Sequence, residues 1–453
     1  MSLPQNTEIL IVGAGPTGLC LALSLHKQGF TDFVVVDSLL PGDNGSRALA
    51  VHAATIEALE KIDCAEAVLQ ASRKLRATVI RTEGHVLETA SFSSLGKHTK
   101  YPFMIAIPQH ITEQIIGEAV TARGISVFRP HKVVDLKPNA SNPKFADVTF
   151  DDGHVLRARC VVGADGSHSV VREHAKIGWA DPDAEPNDEK TNLLTQMVIA
   201  DVTLENPPPW PTDIVSLTAS SDNGFLFIVL PGRPYPSVPE GEAVYRVGCA
   251  IPASLGVPPH APDAAYLQQL CDAWGPNGAL PPGAPRVVVK QVAWSSRFRT
   301  RSSIADTFFT HLPSGATPTG ELVRGGGPVL LLGDAAHIHP PMGGQGMNLG
   351  IRDAIKLGAV LAEYVRAVAS GKAGDVEAPL RQWAEERHGR AETVIRMVKG
   401  LQKMIMIRSK TKWVLGVIPV NVVWLRNTFL RIMTSFAWFR TRGAYNVSGL
   451  GNP

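Results

Sequence analysis

The sequence predicts an α/β fold in which a Rossmann-like domain is interleaved with a second, mostly antiparallel β-sheet domain and followed by C-terminal helices. Three observations carry the prediction. An apolar strand ends in the turn GAGPTG at 13–18, a helix follows, and a second strand ends at Asp37, which makes one β-α-β unit. Two further apolar strands run into short Asp-containing turns, GADG at 163–166 and GDAAH at 333–337. Between those turns, strand-like runs alternate with Pro-rich loops and show little helical periodicity, the pattern of an antiparallel sheet.

Taken in order, residues 8–12 form the first strand, 19–28 a helix and 33–36 the second strand. A polar turn at 41–47 leads into a helical pattern that ends at Leu59. Short strands occupy 76–104, and a helix starts at 108–116. Strands at 127–150 and 156–162 flank the hairpin turn DDG at 151–153. An acidic stretch at 180–190 marks a boundary, after which strand-like runs at 196–202, 224–230, 243–250 and 286–294 build the second sheet. Residues 311–327 read as a flexible insertion, 329–332 as a buried strand and 348–390 as helices, and the tail as mainly helical with a break at Pro419. The expected division is 1–75, 105–182 and 303–392 for the nucleotide-binding domain, 76–104 and 183–302 for a substrate domain, and 393–453 for a helical tail.

Composition supports a large folded protein. The chain has 453 residues, 44% hydrophobic and 19% charged, so a sizeable core is expected and wholesale disorder is excluded. A net charge of +3 argues against a dedicated nucleic-acid binder. The charge is uneven: residues 393–453 hold ten Lys or Arg and no Asp or Glu, while the remainder holds 34 basic and 41 acidic residues. The five cysteines are scattered without a CxxC pair, which points to a reducing, cytoplasmic setting and no zinc site. The uncharged run 9–25 is broken by glycines and reads as strand, turn and helix rather than a secretory segment. The run 413–425 is short of the ~20 apolar residues that a spanning helix needs.

Each turn has a chemical reading. In the first, Gly13 permits the tight turn, Gly15 lets backbone approach a pyrophosphate and Gly18 lets helix and strand pack closely, with Pro16 and Thr17 opening the helix. Asp37, 24 residues after Gly13, stands where a carboxylate accepts ribose hydroxyls. These residues do not say which dinucleotide is bound. In the third turn Asp334 suits a polyol chain, and Gly343, Gly344 and Gly346 leave backbone N–H groups to face an anionic ring edge. His337 and His339 lack a nearby third ligand and make a poor metal site.

GAGPTG, GADG and GDAAH in this order, with GGQGMNLGIRDA after the last, resemble the class A flavoprotein aromatic hydroxylases, which share the fold of para-hydroxybenzoate hydroxylase. SRALAVHAATIEAL at 46–59 and PQHITE at 108–113 match as well. The resemblance covers about 1–180 and 295–390 and is weak over 190–290, where substrate is chosen. It lacks the thioredoxin-like domain of the larger phenol hydroxylases, and the 311–327 insertion departs from the family pattern.

The resemblance implies FAD as cofactor, with Gly13, Gly15 and Gly18 on its pyrophosphate, Asp37 on the adenosine ribose, and Arg47 and Gln109 along the phosphate–ribityl stretch. It puts Asp165 in an element shared by FAD and reduced nicotinamide and Asp334 on the ribityl chain. Gly344, Gln345, Gly346, Met347 and Asn348 then line the isoalloxazine, with Pro341 beside its reactive face. It further implies NADPH or NADH as a transient co-substrate, dioxygen, and a flavin C4a-hydroperoxide that hydroxylates a small phenolic or aromatic hydroxy-acid substrate. Such a peroxide needs a dry, closable pocket. Baeyer–Villiger oxidation or epoxidation on the same fold, a NAD-linked dehydrogenase, and a flavin-binding protein without turnover are the alternatives.

A cation or base that lowers a phenol's pKa would help catalysis, and Arg246, Tyr235, Tyr245, Arg297 and His260 are the candidates in the substrate half. In the tail, Val422, Leu425, Phe429, Ile432, Met433 and Phe436 recur at helical spacing among Arg426, Arg431, Arg440 and Arg442. Two readings follow: the stripe packs on the acidic body with its arginines solvated, as apolar helical stripes usually do, or it makes peripheral contact with an anionic membrane. Oligomeric state is not legible.

Overall fold

Strand Asn6–Val12 is apolar on both faces, and Ile9, Leu10 and Ile11 are wholly buried, as a central strand of a parallel sheet requires. In the computed structural model it pairs in parallel with Val155–Gly163 on one side and Phe33–Val36 on the other. Leu322–Leu331 and Val127–Phe128 extend the parallel core outward. Antiparallel strands Ala146–Phe150, Val133–Pro138 and Phe309–Ala316 complete it. The structure describes residues 2–42, 48–82, 85–182, 196–219, 226–231, 237–239, 241–251, 255–299, 301–317, 320–341, 343–405, 411–414 and 418–451.

Helix Pro16–Lys27 lies against helix Gly346–Ala369, which follows the third turn. The two approach closely: the Ser24 hydroxyl donates to the Ile355 carbonyl (2.6 Å), and a Cβ on Gly358 would lie 2.3 Å from Ser24 Oγ. This contact holds the first and third turns side by side.

The second sheet, among the described residues, runs in the order Val288–Arg299, Gln196–Glu205, Val244–Ile251, Leu226–Pro231, Ile214–Ala219, Ala77–Thr82 and His85–Ser91. Only Ile214–Ala219 with Ala77–Thr82 is parallel. Two strands from residues 77–91 thus join a sheet built mainly from residues after 195. Helix Ala264–Trp274 packs Leu267, Leu270 and Cys271 on that sheet.

One expectation fails. The segment read as a loop at 311–327 is largely strand: Phe309–Ala316 and Leu322–Leu331 pair antiparallel and run into the parallel core. Two of its glycines serve close packing, since a Cβ on Gly326 would lie 2.6 Å from Leu312 Cβ and one on Gly327 3.0 Å from the Arg159 carbonyl oxygen. The tail is mainly helical and broken at Pro419 as expected, the break taking the form of paired strands Thr411–Val414 and Ile418–Asn421 before helices Val422–Ser435 and Ala437–Val447. Helix Ala378–Ile405 runs across the expected 392/393 boundary.

Candidate functional site

The first two turns meet through backbone. Ala164 N–H donates to the Val12 carbonyl (2.7 Å), and Leu332 N–H, just before the third turn, donates to the Gly163 carbonyl (2.8 Å). Gly13 has φ +105°, and a Cβ there would lie 2.3 Å from the Ala164 carbonyl oxygen. A Cβ on Gly18 would lie 1.9 Å from the Gly13 carbonyl oxygen. Neither position accepts a side chain without moving backbone. A Cβ on Gly333 would lie 2.9 Å from Thr17 Oγ1, so the third turn rests on the first.

Helix Pro16–Lys27 starts from Gly15 with Pro16 in its first turn and no side chain capping its N-terminus. Its leading N–H groups and the positive end of its dipole are left for an anion. A Cβ on Gly15 would touch nothing within 4 Å, so this side of the turn is open. Asp37 closes the other side: its Oδ2 accepts from Ala14 N–H (2.7 Å) and its Oδ1 from Leu39 N–H (2.8 Å).

Two arginines outside the expected set hold the turns in place. Arg129 donates to the Ala14 carbonyl (2.8 Å) and lies 3.8 Å from Asp37. Arg172 donates to the Ala335 carbonyl and the Ser167 carbonyl (2.8 Å each), which ties the second turn to the third. Its guanidinium also stacks 3.9 Å over the Trp179 ring, and burial lowers its pKa. Arg172 follows GADG within the motif, but only the fold shows what its side chain reaches.

Asp165 Oδ2 accepts from Val171 N–H (3.2 Å), whereas its Oδ1 is buried without a hydrogen-bond partner. Burial raises the Asp165 carboxyl pKa, against lowering by the Ser169 hydroxyl and nearby backbone N–H groups. Asp334, in the third turn, is exposed. An uncapped helix N-terminus, an open glycine and an orphaned buried acceptor, all at the junction of three turns, fit a pyrophosphate-bearing cofactor with donor hydroxyls.

The loop from Pro341 to Asn348 is fixed from behind. Asn348 donates to the carbonyls of Ala50 (2.7 Å) and Gly344 (2.6 Å) and accepts from His52 N–H (2.8 Å). Gln345 donates to the carbonyls of Gly343 (3.2 Å) and Val447 (2.8 Å). Both side chains are buried and spent on backbone, so this loop can offer a ring its backbone and not these amides. Pro341 is exposed and Gly346 opens the helix, with Met347 half-buried. His52 is a further missed residue: its ring sits 2.7 Å from the Gly343 carbonyl, and burial lowers its pKa to about 4. The C-terminal segment closes the arrangement, with Arg352 donating to the Gly449 carbonyl (3.1 Å) and Ala54 N–H to the Ser448 carbonyl (3.2 Å).

The remaining expected residues divide. Gln109 N-terminates its helix and accepts from Ala48 N–H (3.0 Å), beside the polar turn. Arg47 and Tyr235 lie outside the described residues. Arg246 makes a buried two-point pair with Asp201 (2.7 and 2.6 Å) and reaches the Ala48 carbonyl (3.4 Å), so it spans from the second sheet to the nucleotide domain. His110 lies close enough that Arg246 adds to the lowering of its pKa by burial. Tyr245 is half-buried, and burial raises its pKa. Arg297 caps the Pro258 carbonyl (3.0 Å) and His260 is exposed, which does not bring either to Arg246. His337 lies 3.5 Å from Asp353, and His339 bonds the Pro340 carbonyl (2.9 Å). No cluster of three metal-ligating side chains occurs among the described residues.

A parallel sheet with a glycine turn at its central strand, plus two Asp turns converging on it, defines a dinucleotide-dependent oxidoreductase of the flavin-binding kind. The chain belongs to the FAD binding domain family, whose model matches residues 6–235 and 321–398. Rifampicin monooxygenase of Streptomyces venezuelae is 31% identical over 388 residues, 86% of this chain and 69% of the relative. A rifampicin monooxygenase of Rhodococcus hoagii is 30% identical over 362 residues, 79% of this chain and 64% of the relative, so the chain spans about two thirds of these proteins. Pentachlorophenol 4-monooxygenase of Sphingobium chlorophenolicum is 26% identical over 425 residues, 90% of this chain and 69% of the relative. The crystal structure of p-nitrophenol 4-monooxygenase from Pseudomonas putida superposes with a TM-score of 0.73 over 99% of both chains at 19% identity, a likeness of fold. The protein is an FAD-dependent monooxygenase of the aromatic hydroxylase class, a family in which NAD(P)H is the typical reductant.

Proposed function

We propose that the chain hydroxylates a phenolic or aromatic hydroxy-acid substrate with NADH or NADPH and dioxygen. The observation that carries the proposal is the convergence of the three turns beside the seam that Arg246 makes between the second sheet and Ala48. The relatives named for pentachlorophenol and rifampicin support an electron-rich aromatic ring as the substrate. When bound, FAD supplies the redox chemistry and the activation of dioxygen.

The chain's own residues do the rest. Gly13, Gly15, Pro16, Thr17 and Gly18 would present the uncapped helix N-terminus to the pyrophosphate of bound FAD, and Asp37 would receive the ribose. The unpartnered Asp165 Oδ1 and the exposed Asp334 would accept from the polyol hydroxyls, with Gln109 on the phosphate side. Backbone from Gly344 to Asn348 would border the ring system of the bound FAD, with the exposed Pro341 beside it. Arg246, already matched by Asp201, acts as a buried positioning cation between the second sheet and Ala48 and not as the direct partner of a phenolate.

The test is NAD(P)H oxidation by the FAD-loaded protein against phenols, hydroxybenzoates and polycyclic phenols, with mass analysis of products. Substrate-stimulated oxidation with one added oxygen on the ring is expected. An ester from a ketone, or no stimulation by any phenol, would overturn the assignment to phenol hydroxylation.

A further inference from the structure

The helix Val422–Ser435 presents two unlike faces. Leu430, only 4% exposed, packs with Ile80 and Leu87 of the second sheet, and Thr434 and Arg426 are buried with it. The opposite side carries Trp424 (64% exposed), Leu425 (52%), Phe429 (53%) and Ile432 (55%). Phe436 (48%) and Trp438 (61%) continue it at the junction with the next helix. The stripe expected to pack on the body therefore faces outward, with Val422 and Met433 half-buried at its margin. Single exposed apolar residues are ordinary, but six large ones along one short stretch mark an interaction surface.

Charge says which partner fits. No Asp or Glu follows Glu392, and ten Lys or Arg do. Arg431 and Arg442 are exposed along the same two helices. An apolar strip flanked by cations, with tryptophans at its edge and no Asp or Glu on its own two helices, complements the headgroup layer of an anionic bilayer. A second copy of the chain would bring the same cations face to face. The helix has 14 residues, about 21 Å long at ~1.5 Å per residue, too short to span and suited to lie in the interface plane. Among the described residues no helix is long and apolar enough to cross a membrane.

We propose that the outer face of Val422–Ser435, with Phe436 and Trp438, docks this enzyme on an anionic lipid surface. The helix rests on His85–Ser91, the edge strand of the second sheet, so docking sets the substrate half against the bilayer. The inference concerns binding and stands whether or not the proposed aromatic substrate is correct.

The test uses the full-length, FAD-loaded protein and vesicles of phosphatidylcholine with or without about 30 mol% phosphatidylserine. Co-sedimentation is expected with the anionic vesicles only, weakening as salt is raised, together with a blue shift of tryptophan emission. The triple variant Leu425→Ser, Phe429→Ser, Ile432→Ser should bind at least about tenfold more weakly while retaining its flavin absorbance. Arg431→Glu with Arg442→Glu should remove the preference for phosphatidylserine and serves if the triple variant loses flavin. Absence of vesicle binding by the parent protein, or undiminished binding by both variants, overturns the proposal. So does a dimer by light scattering that the triple variant dissolves without any vesicle binding by the parent.

Discussion

Two helices of this molecule, Pro16–Lys27 and Val422–Ser435, are of similar length and both rich in apolar residues, yet they use them in opposite ways. The first buries every residue from Gly18 to Leu25, because strands and the helix Gly346–Ala369 enclose it on all sides. The second buries Leu430, Thr434 and Arg426 and turns Leu425, Phe429 and Ile432 outward. An apolar stripe thus states that a helix has a partner face and does not state that the partner is the protein's own core. The two helices also differ in tolerance. At Gly18 of the first, backbone meets backbone with no room for one added carbon, whereas the outer face of the second is exposed among the described residues.

The sharpest way to break this comparison is Gly18→Ala. With a Cβ 1.9 Å from the Gly13 carbonyl oxygen, the turn must move, and a loss of about 3–5 kcal/mol is expected, read by thermal unfolding and loss of flavin. Wild-type stability in that variant would mean that the turn is not locked. Next, Leu430→Ala should cost about 2–4 kcal/mol in denaturant unfolding, and Ile432→Ala no more than about 0.5 kcal/mol. Equal costs would erase the distinction between the two faces.

A third effect concerns His52, where the loop after the third turn meets the C-terminal segment. Burial holds its folded pKa at about 4, below the ordinary 6.5, so the unfolded chain binds the proton first as pH falls. Stability is therefore full above about pH 6.5 and declines toward pH 4, by about 2 kcal/mol at pH 5 from this residue. His52→Gln, which keeps a donor for the Gly343 carbonyl, should flatten the acid limb of a stability–pH profile; an unchanged limb would refute the attribution. The smallest effect is on binding alone. Asp334 is exposed, so Asp334→Ala should change the stability of the apoprotein by no more than about 0.5 kcal/mol. Its FAD affinity should fall about tenfold, about 1.4 kcal/mol, by titration of the apoprotein with FAD.

The nucleotide half was legible because its signals are local. A strand of Ile and Val that stops at GAGPTG, and a second that stops at Asp37, carry their geometry in consecutive residues, and the β-α-β unit follows. The same holds for the turns at Asp165 and Asp334. The hairpin of 309–331 was misread because its Gly and Pro residues signal a loop by composition, while Gly326 and Gly327 pack closely on Leu312 and the Arg159 carbonyl. His52, Arg129 and Arg172 went unnoticed for a related reason. Each serves a carbonyl of the glycine turn or of a later segment, and no spacing rule announces which carbonyl a long side chain will reach. Arg246 was picked for its charge, but its partner Asp201 lies on the neighbouring strand, 45 residues away.

By itself, then, the chain's order of residues determined the α/β class, the position of the dinucleotide turns and the uneven distribution of charge, because these depend on near neighbours and on counting. Tertiary structure alone decided that the turns stack into one site, that Arg246 is already matched, and that the last helices show their apolar side to the outside. Those outcomes depend on which distant segments come to share a surface, and burial and pairing are properties of that shared surface, not of the residues taken one at a time.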